Sequence, residues 1–364
     1  VERVYAWPRL IAETIDEPLP PSVIYERGFS KGKLAYVRRL VVALITGVPI
    51  DLVVCGHINL LPAAWFVAKA RGVPLTLIIH GIDAWQPTNS RLVNALAGRI
   101  DQLISVSRLS AERFCDWSKV SKERVFILPN SVSLQKFTPG PKPLELLARH
   151  HLQDYRILLT IGRLESEARL KGFDQVLEVL PRLTARFPNL KYLIVGDGRD
   201  EARLKSKAVS LGVADNVMFI GRIPEVEKVA YYRLADAFVM PSAGEGFGIV
   251  LIEAAACGVP VIGSAIDGSA EALIGGKLGQ LVDPELVLAL RSLQRHAVPA
   301  RELGRLPAVI EVAMGEEDLL ERRPELGQRF IDALEIAARV EGRGPAGARA
   351  HQQRTVLLVG GDRH

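Results

Sequence analysis

Short apolar runs alternate with longer amphipathic stretches over most of this chain. Runs such as 51–57, 75–79 and 102–107 are typical of buried strands, and the stretches between them have the period of helices. Strands that alternate with helices predict parallel, doubly wound α/β sheets. The first series of strands continues to 125–128. A second series is predicted at 156–161, 190–195, 217–220, 237–240 and 260–264.

The alternation is interrupted between the two series. Residues 129–143 are rich in Pro and Ser, a composition that favours a linker between domains. With 364 residues, the chain is long enough for two domains of ordinary size. We predict a first domain at 1–137, a linker at 138–154, a second domain at 155–295 and an atypical, partly disordered tail at 296–364.

One Gly-rich turn, between a predicted strand and a predicted helix, holds the residues best suited to bind a ligand. Gly244, Gly246 and Gly248 allow the backbone to approach a ligand closely, and the N-terminus of the helix suits a phosphate. Glu245 lies in the turn and Glu253 lies two turns into the helix. Ionised carboxylates accept hydrogen bonds from sugar hydroxyls. The alternative is an ordinary buried helix that carries one surface carboxylate.

The segment EGFGIVLIEAAACGVPVI, which contains Glu245 and Glu253, resembles the signature of retaining glycosyltransferases of family 4. The segment from Pro129 is similar to the interdomain linker of the same family, with Ser131 in place of the usual Gly. The resemblance implies the GT-B fold, in which two Rossmann-like, doubly wound parallel-sheet domains face each other across a cleft. It also implies that the second domain binds a nucleotide-diphosphate sugar.

The resemblance assigns the donor-binding residues of the second domain. Glu253 would bind the ribose hydroxyls and Glu245 a hydroxyl of the donor sugar, while Arg163 and Lys171 would hold the diphosphate. Alternatively, Arg163 forms a surface ion pair with Glu165 or Glu167, and Lys171 is a solvated helix start. The remaining donor-side candidates are Gly221, Arg222, Ile223, Gly246, Phe247, Gly248 and Ile249, of which Arg222 could be only a surface charge.

Three residues of the first domain are candidates for the same reaction. His80 ends a predicted strand and, by resemblance, contacts the donor sugar near its reacting carbon. Asp83 is predicted either to meet the acceptor or to cap a helix, and His57 is a weaker candidate on the acceptor side. The predicted catalytic residues are therefore His80, Glu245, Arg163 and Lys171.

The composition excludes several other classes of protein. Hydrophobic residues make up 48% of the chain and charged residues 24%, which is typical of a soluble globular protein. The sequence contains no Walker loop, no G-x-S-x-G turn and no cluster with metal-ligand spacing. We expect no cofactor and no metal. Three widely spaced cysteines favour a reducing compartment, so a cytoplasmic location is predicted.

Positive charge is concentrated in the first part of the chain. Residues 1–150 hold 19 Lys and Arg against 12 Asp and Glu. A basic cluster with interleaved aromatic residues favours either an anionic membrane surface or a plain solvated helix face. No recognition motif for nucleic acid accompanies it. The cluster consists of Arg27, Lys31, Lys33, Arg38 and Arg39.

We therefore predict a retaining glycosyltransferase at the cytoplasmic face of a bacterial membrane. Its partners would be a nucleotide-sugar donor and a glycan or lipid-linked acceptor used in cell-surface polysaccharide, lipopolysaccharide or glycolipid synthesis. The alternatives are a catalytically silent remnant that still binds a nucleotide sugar, or a GT-B epimerase or phosphorylase. The family's first strand, its Gly-rich loop and its closing helix are not evident, so a further hypothesis is a reading-frame change in the C-terminal portion.

Overall fold

The computed structural model describes residues 3–8, 23–25, 33–45, 49–165, 170–284 and 355–360. The chain falls into two compact units. Unit 1 comprises residues 1–129 together with 347–364, and unit 2 comprises residues 130–346. The domain boundaries inferred from sequence stay a prediction.

Unit 1 contains a seven-stranded sheet in which all neighbouring strands run parallel. The described strands are β1 (Arg3–Pro8), β2 (Val23–Tyr25), β3 (Leu52–Cys55), β4 (Leu75–Ile79), β5 (Gln102–Ser105), β6 (Val125–Ile127) and, much later in the chain, β13 (Thr355–Gly360). Their order across the sheet is β2-β1-β13-β3-β4-β5-β6. The predicted parallel α/β pattern is confirmed for this unit.

In the described part of unit 1, four α-helices accompany this sheet. The Ser107 hydroxyl caps the last of them by accepting a hydrogen bond from the backbone N–H of Ser110 at 3.1 Å. The core that the helices cover includes the fully buried side chains of Leu61, Leu77 and Phe114. The helices are α1 (Lys33–Ile45), α2 (Leu61–Arg71), α3 (Arg91–Ala97) and α4 (Arg108–Ser118).

The strand β13 lies between β1 and β3 in the sheet of unit 1. β1 pairs with β13 from Arg3 to Pro8, β13 pairs with β3 up to Cys55, and no direct pairing joins β1 to β3 in the described residues. Residues 355–360 therefore form a central strand of this sheet, which the sequence analysis did not predict. These six residues of the predicted tail form a regular strand, and the atypical, partly disordered tail at 296–364 stays a prediction.

Unit 2 contains a six-stranded sheet whose neighbouring strands also run parallel. The strands are β7 (Arg156–Ile161), β8 (Leu190–Val195), β9 (Val217–Gly221), β10 (Ala237–Met240), β11 (Val261–Ser264) and β12 (Gln280–Val282). Their order is β12-β11-β10-β7-β8-β9. The chain adds strands on one side of β7 and then on the other, so the strand order reverses between β7 and β10. Ligands of open α/β sheets bind at such a reversal, outside the carboxyl ends of the strands.

The helices of unit 2 pack on both faces of its sheet, where two apolar cores lie. Among the helices described along the chain, none combines the length and the apolar character needed to cross a membrane. The helices of unit 2 are α5 (Leu144–His150), α6 (Phe173–Arg186), α7 (Glu201–Ser210), α8 (Lys228–Leu234), α9 (Ile249–Ala256) and α10 (Ser269–Ala272).

An ion-pair network joins the first turns of α6 and α7. Arg203 donates to both carboxylate oxygens of Asp174, at 2.8 and 2.6 Å, and to both oxygens of Asp200, at 2.7 and 2.6 Å. Lys207 donates to Asp174 as well. Burial alone would raise the pKa of Asp174, but the hydrogen bonds from Arg203 and Lys207 outweigh it and hold the pKa at about 2.

The first prediction concerns β13. Leu357 is paired with Tyr5 on β1 and with Val53 on β3. Because Pro has no backbone N–H, Leu357→Pro removes a ladder hydrogen bond from a central strand. We expect amide hydrogen exchange to rise in β1 and β3 and to stay at the parent's level in β7 and β8. Thr355→Pro, at the first residue of the strand, is the milder control. Unchanged exchange in β1 and β3 would contradict the pairing.

The second prediction concerns Asp174. Its depressed pKa means that the ionised carboxylate stabilises the fold above about pH 4, and that this contribution is lost as the pH falls towards 2. We expect Asp174→Asn to lower the free energy of unfolding by about 2 kcal/mol at pH 7. Urea denaturation should show the gap to the parent narrowing below pH 4. Asp154→Asn, at an exposed position, is the control. A gap that is equal at pH 7 and pH 3 would refute this.

Candidate functional site

The carboxyl edge of the unit 2 sheet, at the reversal between β7 and β10, holds most of the predicted donor residues. Arg163 follows β7, and the turn from Pro241 to Gly248 follows β10. The side chain of Arg163 is exposed and forms no ion pair with any described residue. The predicted alternative, a pair with Glu165, is therefore absent, while Glu167 lies outside the described residues.

The turn that carries Glu245 is held by Asp267, which lies just beyond β11. One carboxylate oxygen of Asp267 accepts hydrogen bonds from the Ser242 hydroxyl at 2.7 Å and from the backbone N–H of Glu245 at 2.9 Å. The N–H of Gly268 donates to the carbonyl of Glu245 at 2.8 Å. Any Cβ at Gly268 would lie 2.2 Å from the carbonyl oxygen of Gly246, so only Gly fits there. Hydrogen bonds therefore hold both the backbone N–H and the backbone carbonyl of Glu245.

Burial shifts the pKa of the Asp267 carboxyl. The residue is almost fully buried, and this burial raises the pKa of its carboxyl, although the hydrogen bonds from Ser242 and Ser269 oppose the effect. A buried carboxylate that accepts several hydrogen bonds is expensive to leave unpaired, so its donors are held in one arrangement. Sequence analysis did not identify Asp267 as part of the site.

The Lys171 segment packs against the Glu245 turn. The backbone N–H of Ala243 donates to the carbonyl of Leu170 at 2.7 Å. Gly172 has a φ of +86°, and a Cβ there would lie 2.6 Å from the carbonyl oxygen of Pro241. This close approach brings the Lys171 ammonium into an ion pair with the Glu245 carboxylate. Two residues to which the resemblance assigns donor binding are therefore in direct contact.

The second carboxylate, Glu253, lies on α9 and its side chain is only 7% exposed. The Tyr232 hydroxyl donates to its Oε2 at 2.6 Å, and the Lys228 ammonium lies 2.9 Å from Oε1 and 2.7 Å from Oε2. Burial and the neighbouring carboxylate raise the pKa of Tyr232 well above its usual value, so its hydroxyl stays a donor. The alternative of a surface carboxylate on an ordinary helix is wrong, because Glu253 is buried and contacts Lys228 and Tyr232.

The other donor-side candidates lie around the same edge. Gly221 ends β9, and its carbonyl accepts a hydrogen bond from the N–H of Gly196 at 2.9 Å. Arg222 is exposed and Ile223 packs against the core. The remaining candidates, Gly246, Phe247, Gly248 and Ile249, form the end of the Gly-rich turn and the start of α9, and Phe247 is buried.

The three candidates of unit 1 lie together at the carboxyl ends of β3 and β4. His80 Nε2 donates to the carbonyl of Gly56 at 2.9 Å, and His57 Nε2 lies 4.0 Å from Asp83 Oδ2. His57 Nδ1 accepts from the backbone N–H of Asn59 at 3.1 Å. Burial raises the pKa of Asp83, and the nearby His57 and His80 oppose the effect. The imidazoles and the carboxyl group of this cluster can exchange protons or accept hydrogen bonds from hydroxyl groups.

The basic cluster of unit 1 is described only in part. Arg27 and Lys31 lie outside the described residues. Lys33, Arg38 and Arg39 belong to α1, and the side chain of Arg38 is exposed.

Two further site residues, Lys228 and Tyr232, were missed by sequence reasoning. Both lie on α8, whose pattern predicts only an amphipathic helix, and they reach Glu253 through tertiary packing. In the described part of the chain, no group of three or more His, Cys, Asp or Glu side chains is arranged to hold a metal ion.

The sequence matches two family profiles. Residues 146–295 match the profile described as Glycosyl transferases group 1. Residues 5–136 match the profile described as Glycosyltransferase Family 4.

Two curated relatives are similar to part of this chain. The GDP-mannose-dependent alpha-(1-6)-phosphatidylinositol monomannoside mannosyltransferase of Mycolicibacterium smegmatis is 34% identical over 215 residues, which cover 56% of this chain and 55% of that protein. The D-inositol 3-phosphate glycosyltransferase of Thermobifida fusca is 33% identical over 242 residues, which cover 61% of this chain and 55% of that protein. The matched region therefore spans about half the length of these relatives.

Solved structures show the same fold. Anabaena HepE in complex with UDP superposes with a TM-score of 0.66 and 17% identity, covering 94% of this chain and 100% of that one. The sucrose-phosphate synthase of Thermosynechococcus elongatus superposes with a TM-score of 0.61 and 22% identity, covering 90% and 89% of the two chains. The two family profiles together match most of the sequence, and the chain belongs to the group 1 glycosyltransferases of family 4, with the GT-B type of fold.

Proposed function

We propose that this chain is a retaining glycosyltransferase that transfers a sugar from a nucleotide-diphosphate sugar to a glycan or lipid-linked acceptor. The observation that carries the proposal is the pairing of Lys171 with Glu245 at the strand-order reversal of unit 2, on the same turn and helix that present Glu253. Its product belongs to cell-surface polysaccharide or glycolipid synthesis. In this assignment, Glu253 holds the ribose diol and Glu245 a hydroxyl of the sugar.

The charges of the site suit the departure of a diphosphate. Negative charge grows on the β-phosphate as the sugar C1–O bond breaks, so cations there stabilise the transition state more than the ground state. Lys171 and the exposed Arg163 supply these cations. Two side-chain cations can do the neutralising that a metal ion does in other transferases, and we therefore infer that transfer needs no metal.

Retention follows from a reaction on one face of the sugar. The bond between C1 and the phosphate oxygen breaks, and its electron pair stays on the phosphate. The acceptor oxygen forms the new bond to C1 on the same face, and its proton moves to the leaving phosphate oxygen. As the family resemblance implies, we assign His80 to the donor sugar and Asp83 and His57 to the acceptor.

GDP-mannose is the first donor to test, and a phosphatidylinositol-type or inositol phosphate acceptor is the first acceptor. The support comes from the M. smegmatis relative, whose name specifies GDP-mannose and a phosphatidylinositol monomannoside. UDP-glucose is the second donor to test, because a solved structure of HepE contains it.

We propose that the acceptor lies at an anionic membrane surface on the cytoplasmic side. The support is α1, on which Val37, Val41 and the 78% exposed Ile45 follow one another at four-residue intervals. Such a strip, next to the exposed Arg38 on the same helix, is typical of a helix that lies in the interface of an anionic bilayer.

The third prediction tests transfer. We expect the protein to release GDP or UDP from the sugar nucleotide only when the acceptor, presented in anionic vesicles, is present. The product should keep the α-configuration by NMR. Glu245→Gln should lower the rate at least about tenfold, because a charged hydrogen bond is worth roughly 1.5–3 kcal/mol.

The control for this test is Glu145→Gln, since Glu145 is exposed on α5 and has no role in the site. An inverted product would contradict the retaining mode. If the protein binds nucleotides but releases none from any sugar nucleotide, the result would favour the catalytically silent remnant instead.

A further inference from the structure

The segment that carries His80 and Asp83 continues beyond the carboxyl end of β4. Gly81, in the left-handed region with a φ of +141°, precedes a short 3₁₀ helix at Ile82–Ala84. Within this turn the N–H of Ala84 donates to the carbonyl of Gly81 at 2.9 Å. Glycine has wide conformational freedom, and a single helical turn is unstable by itself. The position of Asp83 therefore depends on contacts made by the residues that follow it.

Two tryptophan indoles hold the residues that follow Asp83. Trp117 Nε1 donates to the carbonyl of Ala84 at 2.9 Å, and Trp85 Nε1 donates to the hydroxyl of Ser110 at 3.0 Å. Ala84 and Trp85 are both buried. An indole N–H can only donate, and a buried polar group is costly to leave unpaired. Each of these hydrogen bonds therefore ties the segment to one position.

The groups that hold the segment share one face of α4. Ser110, Arg113 and Trp117 follow one another at intervals of three and four residues, the spacing of a single helix face. The Arg113 guanidinium lies over the Trp85 ring, 3.9 Å from the ring centroid. The ring of Trp117 packs edge-on against the fully buried Phe114, with 5.0 Å between the centroids. The helix that supports the segment is thus itself fixed in the core.

The beginning of the segment is held separately from its end. His80 directly follows β4, and its Nε2 donates to the carbonyl of Gly56 at 2.9 Å. In contrast, Asp83 Oδ2 accepts no hydrogen bond from a described residue and lies 4.0 Å from His57 Nε2. The backbone contacts beyond Asp83 therefore decide where this carboxylate lies.

We propose that Trp85 and Trp117 are positioning residues of the transfer reaction, which hold Asp83 where it meets the acceptor. The inference rests on the proposed function, because it takes Asp83 as an acceptor-side residue. Neither indole has to touch a substrate, since each acts through the backbone at Ala84 and Trp85. Loss of either hydrogen bond should disturb the acceptor, whereas a nucleoside diphosphate, which binds in unit 2, should not be affected.

The fourth prediction compares three matched variants. Trp117→Phe and Trp85→Phe each keep an aromatic ring and remove one N–H donor. With GDP-mannose or UDP-glucose and vesicles that contain phosphatidylinositol, we expect the acceptor KM to rise about tenfold, because a misplaced contact group binds and orients the acceptor poorly. The Kd of GDP and UDP, measured by calorimetry, should stay at the parent's value. Trp65→Phe is the control, since Trp65 Nε1 makes no hydrogen bond with a described residue.

Amide hydrogen exchange separates a loosened segment from a general loss of folding. In Trp117→Phe we expect faster exchange at Ala84 and Trp85, with β4 and β5 at the parent's level. A variant that only loses folded protein would lower the apparent kcat and leave KM unchanged. If Trp117→Phe accelerates exchange throughout the sheet of unit 1, Trp85→Phe decides the question.

The outcomes separate the two proposals. If the parent transfers sugar but the acceptor KM stays unchanged in both variants, or rises equally in Trp65→Phe, the indoles do not position Asp83 and this inference alone is wrong. If the parent transfers no sugar to any acceptor tested, the proposed function fails and this inference fails with it.

Discussion

The cost of burying an ionised carboxylate governs the arrangement of unit 2. An unpaired charge in the interior is strongly unfavourable, so each buried carboxylate fixes the segments that supply its donors. Asp267 holds the turn that carries Glu245, and the partly buried Asp174 joins the first turns of α6 and α7. Glu253 brings α8 onto α9 through Lys228 and Tyr232. A framework of this kind presents polar groups at the sheet edge with little freedom to reorganise.

Backbone contacts extend the same rigidity to Lys171. The segment before α6 approaches Pro241 so closely that only Gly172 fits, and Ala243 binds the carbonyl of Leu170. Because Lys171 lies between these two contacts, its ammonium is directed at Glu245 before any ligand arrives. Pre-organised charges at the place where charge develops are the main source of electrostatic stabilisation in enzymes.

Much of this fold follows from local sequence. Short-range patterns predict the apolar strands, the helices between them and the Gly-rich turn that carries Glu245 and leads into the helix of Glu253. The structure confirms these elements. The contact of Lys228 with Glu253 could not be predicted, because it depends on how two helices pack. The position of β13 was missed for a similar reason, since its partners Arg3–Pro8 and Leu52–Cys55 are distant in sequence. Patterns along the chain identify strands but do not give their order in a sheet.

The central claim is that unit 2 has an assembled site for a nucleoside diphosphate. A thermal-shift titration with GDP, UDP and ADP tests it most directly. A ligand at 100 times its Kd adds about 2.7 kcal/mol to the stability of the folded state, which corresponds to a rise in Tm of a few degrees. We expect such a rise with at least one of the three nucleotides. An unchanged Tm with all three, at millimolar concentrations, would contradict it.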